Sequence, residues 1–123
     1  MGELIGIARF RFHEGKVEEY KRLSEQAMEI VRSREPGTLQ YDIFFNADET
    51  AAVVIERFRD SDALIEHGKN MAEVSAKVLA TGSVEGELLG DVSPEIEANI
   101  AAGDQPKLYG PWLSLARPRP EDR

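Results

Sequence analysis

The sequence predicts an α+β fold in which one antiparallel sheet carries its helices on a single face, with the chain order strand, helix, strand, strand, helix, strand. Two observations carry most of this. Within Glu35–Asn70 the chain reads as a turn at Pro36-Gly37, a strand, a polar loop at Asn46–Thr50, a second strand, and a helix whose far end holds His67. Pro-Gly is a strong breaker, and the loop supplies turn chemistry between two runs rich in β-branched and aromatic residues. Ahead of this hairpin, a strand-like run is followed by apolar residues at helical spacing.

The first element, Glu3–Phe12, alternates Gly6, Ala8, Phe10 and Phe12 on one face with Ile5, Ile7, Arg9 and Arg11 on the other. His13–Lys16 then turns the chain into a helix. Val17, Tyr20, Leu23, Ala27, Ile30 and Val31 make its apolar stripe, and Pro36 ends it by disfavouring helical geometry at Glu35.

In the hairpin, a register with Asn46 facing Ala51 puts Tyr41 across from Glu56 and Gln40 across from Arg57, and a slip of one residue would exchange the faces. Asp60-Ser61-Asp62 offers an N-cap and negative charge to the next helix. Gly68 is expected to break that helix. Met71, Val74, Ser75 and Val78 then mark a further one, stopped by Gly82 at a C-cap position.

Ser83–Val92 reads as a strand weakened by Gly86 and Gly90. Ser93-Pro94-Glu95 reads as N-cap, first helical proline and early acid, with Ile96 and Ile100 one turn apart and Gly103 closing the helix. A last strand is expected over Leu108–Ala116, with Pro111 at an edge or bulge, and a frayed tail over 117–123. One domain spanning 1–116 follows, with a core over about 1–92 and a helix-strand extension over 93–116.

Composition narrows the function classes. With 123 residues, 41% hydrophobic and 31% charged, the chain has the make-up of a globular protein, and no apolar run is long enough to cross a bilayer. A net charge of -8 with no Lys/Arg cluster repels a phosphate backbone, which argues against nucleic acid. The absence of cysteine excludes disulfides and thiolate chemistry. His13 and His67 show no metal-binding spacing, and neither a Gly-rich phosphate loop nor a G-x-S-x-G elbow occurs, so neither metal nor cofactor is expected. Cytoplasmic residence is the default expectation.

Several local patterns together resemble the antibiotic biosynthesis monooxygenase-like proteins of the dimeric α/β barrel superfamily. They are the strand-turn-Gly-Lys-helix entry at Arg11–Tyr20, the EPG-x-x-x-Y stretch at Glu35–Tyr41, the acid-x-aromatic strand at Glu56–Phe58, and the Ala-Leu-x-x-His helix at Ala63–His67. The resemblance covers roughly the first 90 residues, the compass of one domain. Phe58 stands where many relatives carry Trp, and Asp91–Lys107 looks like an insertion. The haem-degrading branch is set aside, because Leu4–Phe12 lacks Asn and Ser61–Gly82 lacks Trp. The resemblance implies a ferredoxin-like βαββαβ core that dimerises through its open sheet face. It also implies oxidation of a small quinol-like or polycyclic phenolic substrate by dioxygen without metal or flavin.

Such a reaction needs a base, a hydrogen-bond donor for a developing oxyanion, and an apolar enclosure. His67 is the first candidate base, because an imidazole titrates near neutrality; a His near a helix end also simply caps or packs. Glu56, mid-strand among apolar residues, orients His67, takes a proton, or makes a salt bridge to Arg9, Arg11 or Arg57. Tyr41 offers a donor or packs in the core. Asn70, Arg57, Phe44 and Trp112 complete the set as substrate-binding candidates, with Trp112 and Tyr109 equally suited to a subunit interface. Alternatives to a monooxygenase are a non-catalytic barrel that binds a small apolar metabolite, or an isomerase using His67 and Glu56 as acid and base. A homodimer with an exchanged C-terminal strand is the expected assembly.

Overall fold

Leu4–Phe12 (β1) takes the middle of the sheet, pairing antiparallel with Ala51–Phe58 (β3) on one side and Gly82–Leu89 (β4) on the other. The computed structural model describes residues 2–118 and 120. Thr38–Phe45 (β2) flanks β3, and Lys107–Tyr109 (β5) flanks β4, giving the order β2-β3-β1-β4-β5. Strand alternation sends Leu4, Gly6, Ala8, Phe10 and Phe12 to the inner face and Ile5, Arg9 and Arg11 to the outer one.

The helices cover the inner face. On Val17–Arg34 (α1), Tyr20, Leu23, Ala27 and Val31 are buried at three- and four-residue spacing. The Tyr20 ring packs on Phe10, Phe12 and Phe45 from the strands below, with centroids 4.6–6.0 Å away. Pro36 ends α1 as expected, and Glu35 leaves helical geometry at φ -127° and ψ 75°.

The hairpin has the expected register: Tyr41 pairs with Glu56 and Gln40 with Arg57. Its loop holds itself by side-chain bonds, with Asn46 Oδ1 accepting from Ala51 N at 3.0 Å and Asp48 Oδ1 accepting from Thr50 N at 3.1 Å. An irregularity between Thr38 and Gln40 absorbs one residue, leaving Leu39 exposed.

Ser61–Leu79 (α2) begins at the expected N-cap, where Asp60 accepts from Ala63 N at 2.9 Å. It runs unbroken through Gly68, contrary to expectation. A mid-helix glycine costs only about 1 kcal/mol against alanine, and here buried Ala63 on one side and Met71 and Val74 on the other hold the helix to the core. Gly82 is likewise no helix cap. The helix ends at Leu79, and Gly82 opens β4, where a Cβ would stand 1.9 Å from the Arg11 carbonyl oxygen. The expected strand Ser83–Val92 thus starts one residue earlier and stops at Leu89, where Gly90 turns the chain at φ 128°.

Pro94–Gly103 (α3) starts on Ser93 as expected, and its Ile96 joins Leu4, Phe58, Ala63 and Leu88 in one buried cluster. The last strand differs most. It is confined to Lys107–Tyr109 and runs parallel to β4, so the sheet is mixed. Pro111 lacks the N–H that would continue the ladder, and Gly110–Ala116 carry no strand. Residues 119 and 121–123 of the expected tail lie outside the described residues.

Candidate acid–base site

The turn after α1 and the middle of α2 meet at a buried carboxylate. Glu35 is 4% exposed. Its Oε1 lies 2.7 Å from His67 Nδ1 and accepts from Thr38 Oγ1 at 2.8 Å, while Oε2 accepts from Asn70 Nδ2 at 3.1 Å. Pro36 is the local cause, since it stops the helix at Glu35 and leads the chain away, so that Thr38 comes back as a donor. His67 and Asn70, three residues apart, lie on the same side of α2 and reach the acid together.

The other ring nitrogen, His67 Nε2, lies 3.0 Å from Glu56 Oε1. Phe58 and Tyr41 flank the imidazole, with ring centroids 5.1 and 5.8 Å away. Gly6 on β1 lies against Glu56: a Cβ there would sit 3.4 Å from Glu56 Oε2, in van der Waals contact.

These groups stand at the wall of a cavity of about 930 Å³ between the inner sheet face and the helices. Glu56, His67, Tyr41 and Tyr20 supply polar atoms to a lining that is otherwise largely apolar, including Ala8, Phe10, Val54, Met71, Leu88 and Ile96. The volume lies within the range of small-molecule sites.

Electrostatics follow from the contacts. Burial by itself pushes the His67 pKa down, but the hydrogen bond and charge of Glu56, joined by those of Glu35, outweigh it and hold it above the ordinary imidazole value. Burial likewise pushes Glu35 up, and the hydrogen bonds from His67, Thr38 and Asn70 with the His67 charge leave it below the usual carboxylate value. Burial, with the Glu56 charge adding to it, pushes the Tyr20 phenol up to about 12 and Tyr41 further. Both phenols therefore remain protonated at neutral pH and are available as donors.

The family model for antibiotic biosynthesis monooxygenase matches residues 4–73, which takes in β1 through the part of α2 that carries His67. The chain belongs to the antibiotic biosynthesis monooxygenase family. Its fold is shared by MupZ from Pseudomonas fluorescens, at 23% identity and a TM-score of 0.81 over 96% of this chain and 97% of that one. Rv0793 from Mycobacterium tuberculosis is similar at 25% identity and TM-score 0.67, covering 75% of this chain and 97% of the other. SnoaB, a cofactor-independent oxygenase from Streptomyces nogalater, aligns in a mutant form at 19% identity and TM-score 0.64, covering 72% and 91%. No curated protein sequence matches the chain significantly.

Of the candidates named from this monooxygenase-family sequence, His67, Glu56 and Tyr41 come together at the cavity. Glu56 faces His67, while two of the three arginines proposed as its partners bond elsewhere, Arg9 with Glu87 and Arg57 with Glu3, and Arg11 lies on the outer face of β1. Asn70 belongs to the cluster but is turned to Glu35 and stays out of the cavity wall. Arg57 and Phe44 are corrected as cavity residues. Each is one strand position off the inner face, so strand alternation points both to the outer side. Trp112 is 89% exposed and stands away from the cavity.

Sequence reasoning missed Glu35 and Tyr20 as site residues. A signal for Glu35 was present: an acid at a helix C-terminus opposes the helix dipole, and so its place there asks for another reason. Tyr20 gave none, because its position in the apolar stripe of α1 is equally that of a core residue. Among the described residues no cluster of three or more His, Cys, Asp or Glu is placed to hold a metal ion, and no described helix is long and apolar enough to cross a membrane.

Proposed function

We propose that this protein is a cofactor-independent monooxygenase that oxidises a small quinol-like or polycyclic phenolic substrate with dioxygen. The carrying observation is the Glu56–His67 pair, 3.0 Å apart in the wall of a largely apolar cavity that also presents Tyr41 and Tyr20. Deprotonation makes such a substrate electron-rich enough to reduce dioxygen. A ring CH₂ becomes a carbonyl, one oxygen atom enters the product, and the other leaves as water with the two hydrogens. The protein supplies the proton acceptor, donors for the developing oxyanion, and a largely apolar cavity. The family and the likeness to SnoaB support this reading.

One observation favours a second reading, an isomerase-type proton transfer on the same scaffold: an imidazole between two carboxylates is a complete acid–base set that needs no oxidant. Oxygen uptake with a panel of hydroquinones and anthrones, run alongside exchange of substrate protons with D₂O, separates the two. Uptake that is lost in Glu56→Gln supports the monooxygenase. Exchange without uptake shifts the assignment to the isomerase, and binding without either leaves a non-catalytic barrel.

We further infer a homodimer built on the outer sheet face, where Ile5 and Phe44 are exposed. The Gly110–Ala116 arm, with Trp112, Leu113 and Leu115 at 89%, 85% and 77% exposure, is the segment that reaches the partner in this arrangement.

A further inference from the structure

We propose that Glu35 is a positioning residue: it stays out of the cavity and holds His67 with a proton on each ring nitrogen, so that Glu56, not His67, takes the substrate's proton. This rests on the acid–base reading of the site.

The geometry is a matter of counting donors. A neutral imidazole has one N–H and one bare lone pair. His67 has a carboxylate oxygen at 2.7 Å from Nδ1 and another at 3.0 Å from Nε2, so a neutral ring would aim its lone pair at one of them. Only the imidazolium donates to both ionised acids. Glu35 is held in the acceptor role by its other neighbours, because Thr38 and Asn70 both donate to it. Its side chain is 2% exposed, and it is absent from the cavity wall.

An imidazolium has no lone pair to offer a substrate. Of the carboxylates along the cavity, Glu87 is tied to Arg9 and Glu95 is exposed. The acceptor beside His67 is therefore Glu56, whose Oε1 is engaged by His67 and whose Oε2 lies toward Gly6. In the step that follows, the substrate's X–H bond breaks, its electron pair stays on the substrate, and the proton forms an O–H bond at Glu56 Oε2. His67 keeps both protons and its charge.

The groups facing His67 are few: Glu35 from the α1–β2 turn, Glu56 and Phe58 from β3, and Tyr41 from β2. Tyr20 from α1 stands near Glu56. On its own helix Asn70 is uncharged, and Glu66 and Lys69 are exposed.

The chain has two histidines, so His13→Gln leaves His67 as the one imidazole in a ¹⁵N spectrum. In that background both ring nitrogens are expected to be protonated at pH 6.5 and to titrate above the ordinary imidazole range. Adding Glu35→Gln shifts the midpoint down and leaves the neutral ring's proton on Nε2, facing Glu56. Adding Glu56→Gln instead leaves it on Nδ1, facing Glu35. A purely structural tie would leave the midpoint unmoved in Glu35→Gln, and that result overturns the proposal, as does a neutral His67 at pH 6.5 in the parent. Where Glu35→Gln fails to fold, the Glu56→Gln spectrum decides alone, and a neutral ring protonated on Nε2 overturns the assignment. These readouts need no turnover: a doubly protonated His67 in an enzyme that consumes no oxygen removes the oxygenase reading only.

Discussion

His67 and Glu35 stand 32 residues apart in the chain, yet Nδ1 of one and Oε1 of the other are 2.7 Å apart. The contact fastens the middle of α2 to the turn that ends α1, and it bears on stability as well as chemistry.

Its pH dependence has two flanks. His67 is raised from 6.5, so the stability its charge contributes is fully present below that value and is lost as pH rises through the folded-state pKa. Glu35 is lowered from 4.5, so its contribution is present above that value and is lost as pH falls through the folded-state pKa. The difference in melting temperature between wild type and Glu35→Gln should therefore be greatest between about pH 4.5 and 6.5. Melting curves from pH 3 to 9 check this, and a difference that keeps growing above pH 7 would contradict it.

Gly37 is needed for close approach. A Cβ at this position would lie 2.7 Å from the Cβ of Ala63, so Gly37→Ala forces α2 off the EPG turn. Overpacking of this kind costs about 1–3 kcal/mol. Urea denaturation should show that loss, and Ala63→Gly should restore part of it.

Gly6→Val places a branched side chain where Glu56 Oε2 and Phe58 now sit, within 3.6 Å of the Cβ position. Turnover should fall about 100-fold or more, the scale of a displaced acid–base group, with the circular dichroism of the folded state kept. Unchanged turnover would mean that the Glu56 carboxylate is not the acceptor.

Ile96 tests whether the C-terminal extension belongs to the core. It is 5% exposed and packs with Leu4, Phe58, Ala63 and Leu88, so Ile96→Ala should cost about 2–5 kcal/mol in one cooperative transition. A loss under 1 kcal/mol, or two separate transitions, would make α3 an independent appendage.

Trp112 is the sole tryptophan and reports on the arm. If the arm docks on a second copy, its emission should shift to the blue as concentration rises, in step with a dimeric mass by light scattering. Truncation after Gly110 should weaken the dimer. A monomeric mass at all micromolar concentrations would sink the dimer assignment.

Much of the fold was legible because its signals are local. Alternation named the inner residues of β1, and counting from Asn46 and Ala51 across the loop placed Tyr41 opposite Glu56. The glycines were harder to read. Gly68 and Gly82 look alike as helix breakers, yet one is carried through by the packing of α2 and the other is demanded by the backbone of β1 beside it. The C-terminal strand was overextended because apolar residues in Leu108–Ala116 look the same whether they pair in a sheet or await a partner.

Element order and the hairpin register follow from residue spacing, because strand and helix periodicity and turn chemistry act over a few residues, while the candidacy of Glu56 and His67 comes from their side-chain chemistry and the family resemblance. The joining of His67 to Glu35, the placing of Glu56 against Gly6, and the turning of Arg57 and Phe44 to the outer face depend on how distant segments stack. A buried carboxylate is tolerable only where donors converge on it, and the donors for Glu35 come from two separate elements that meet only when α2 lies across the turn.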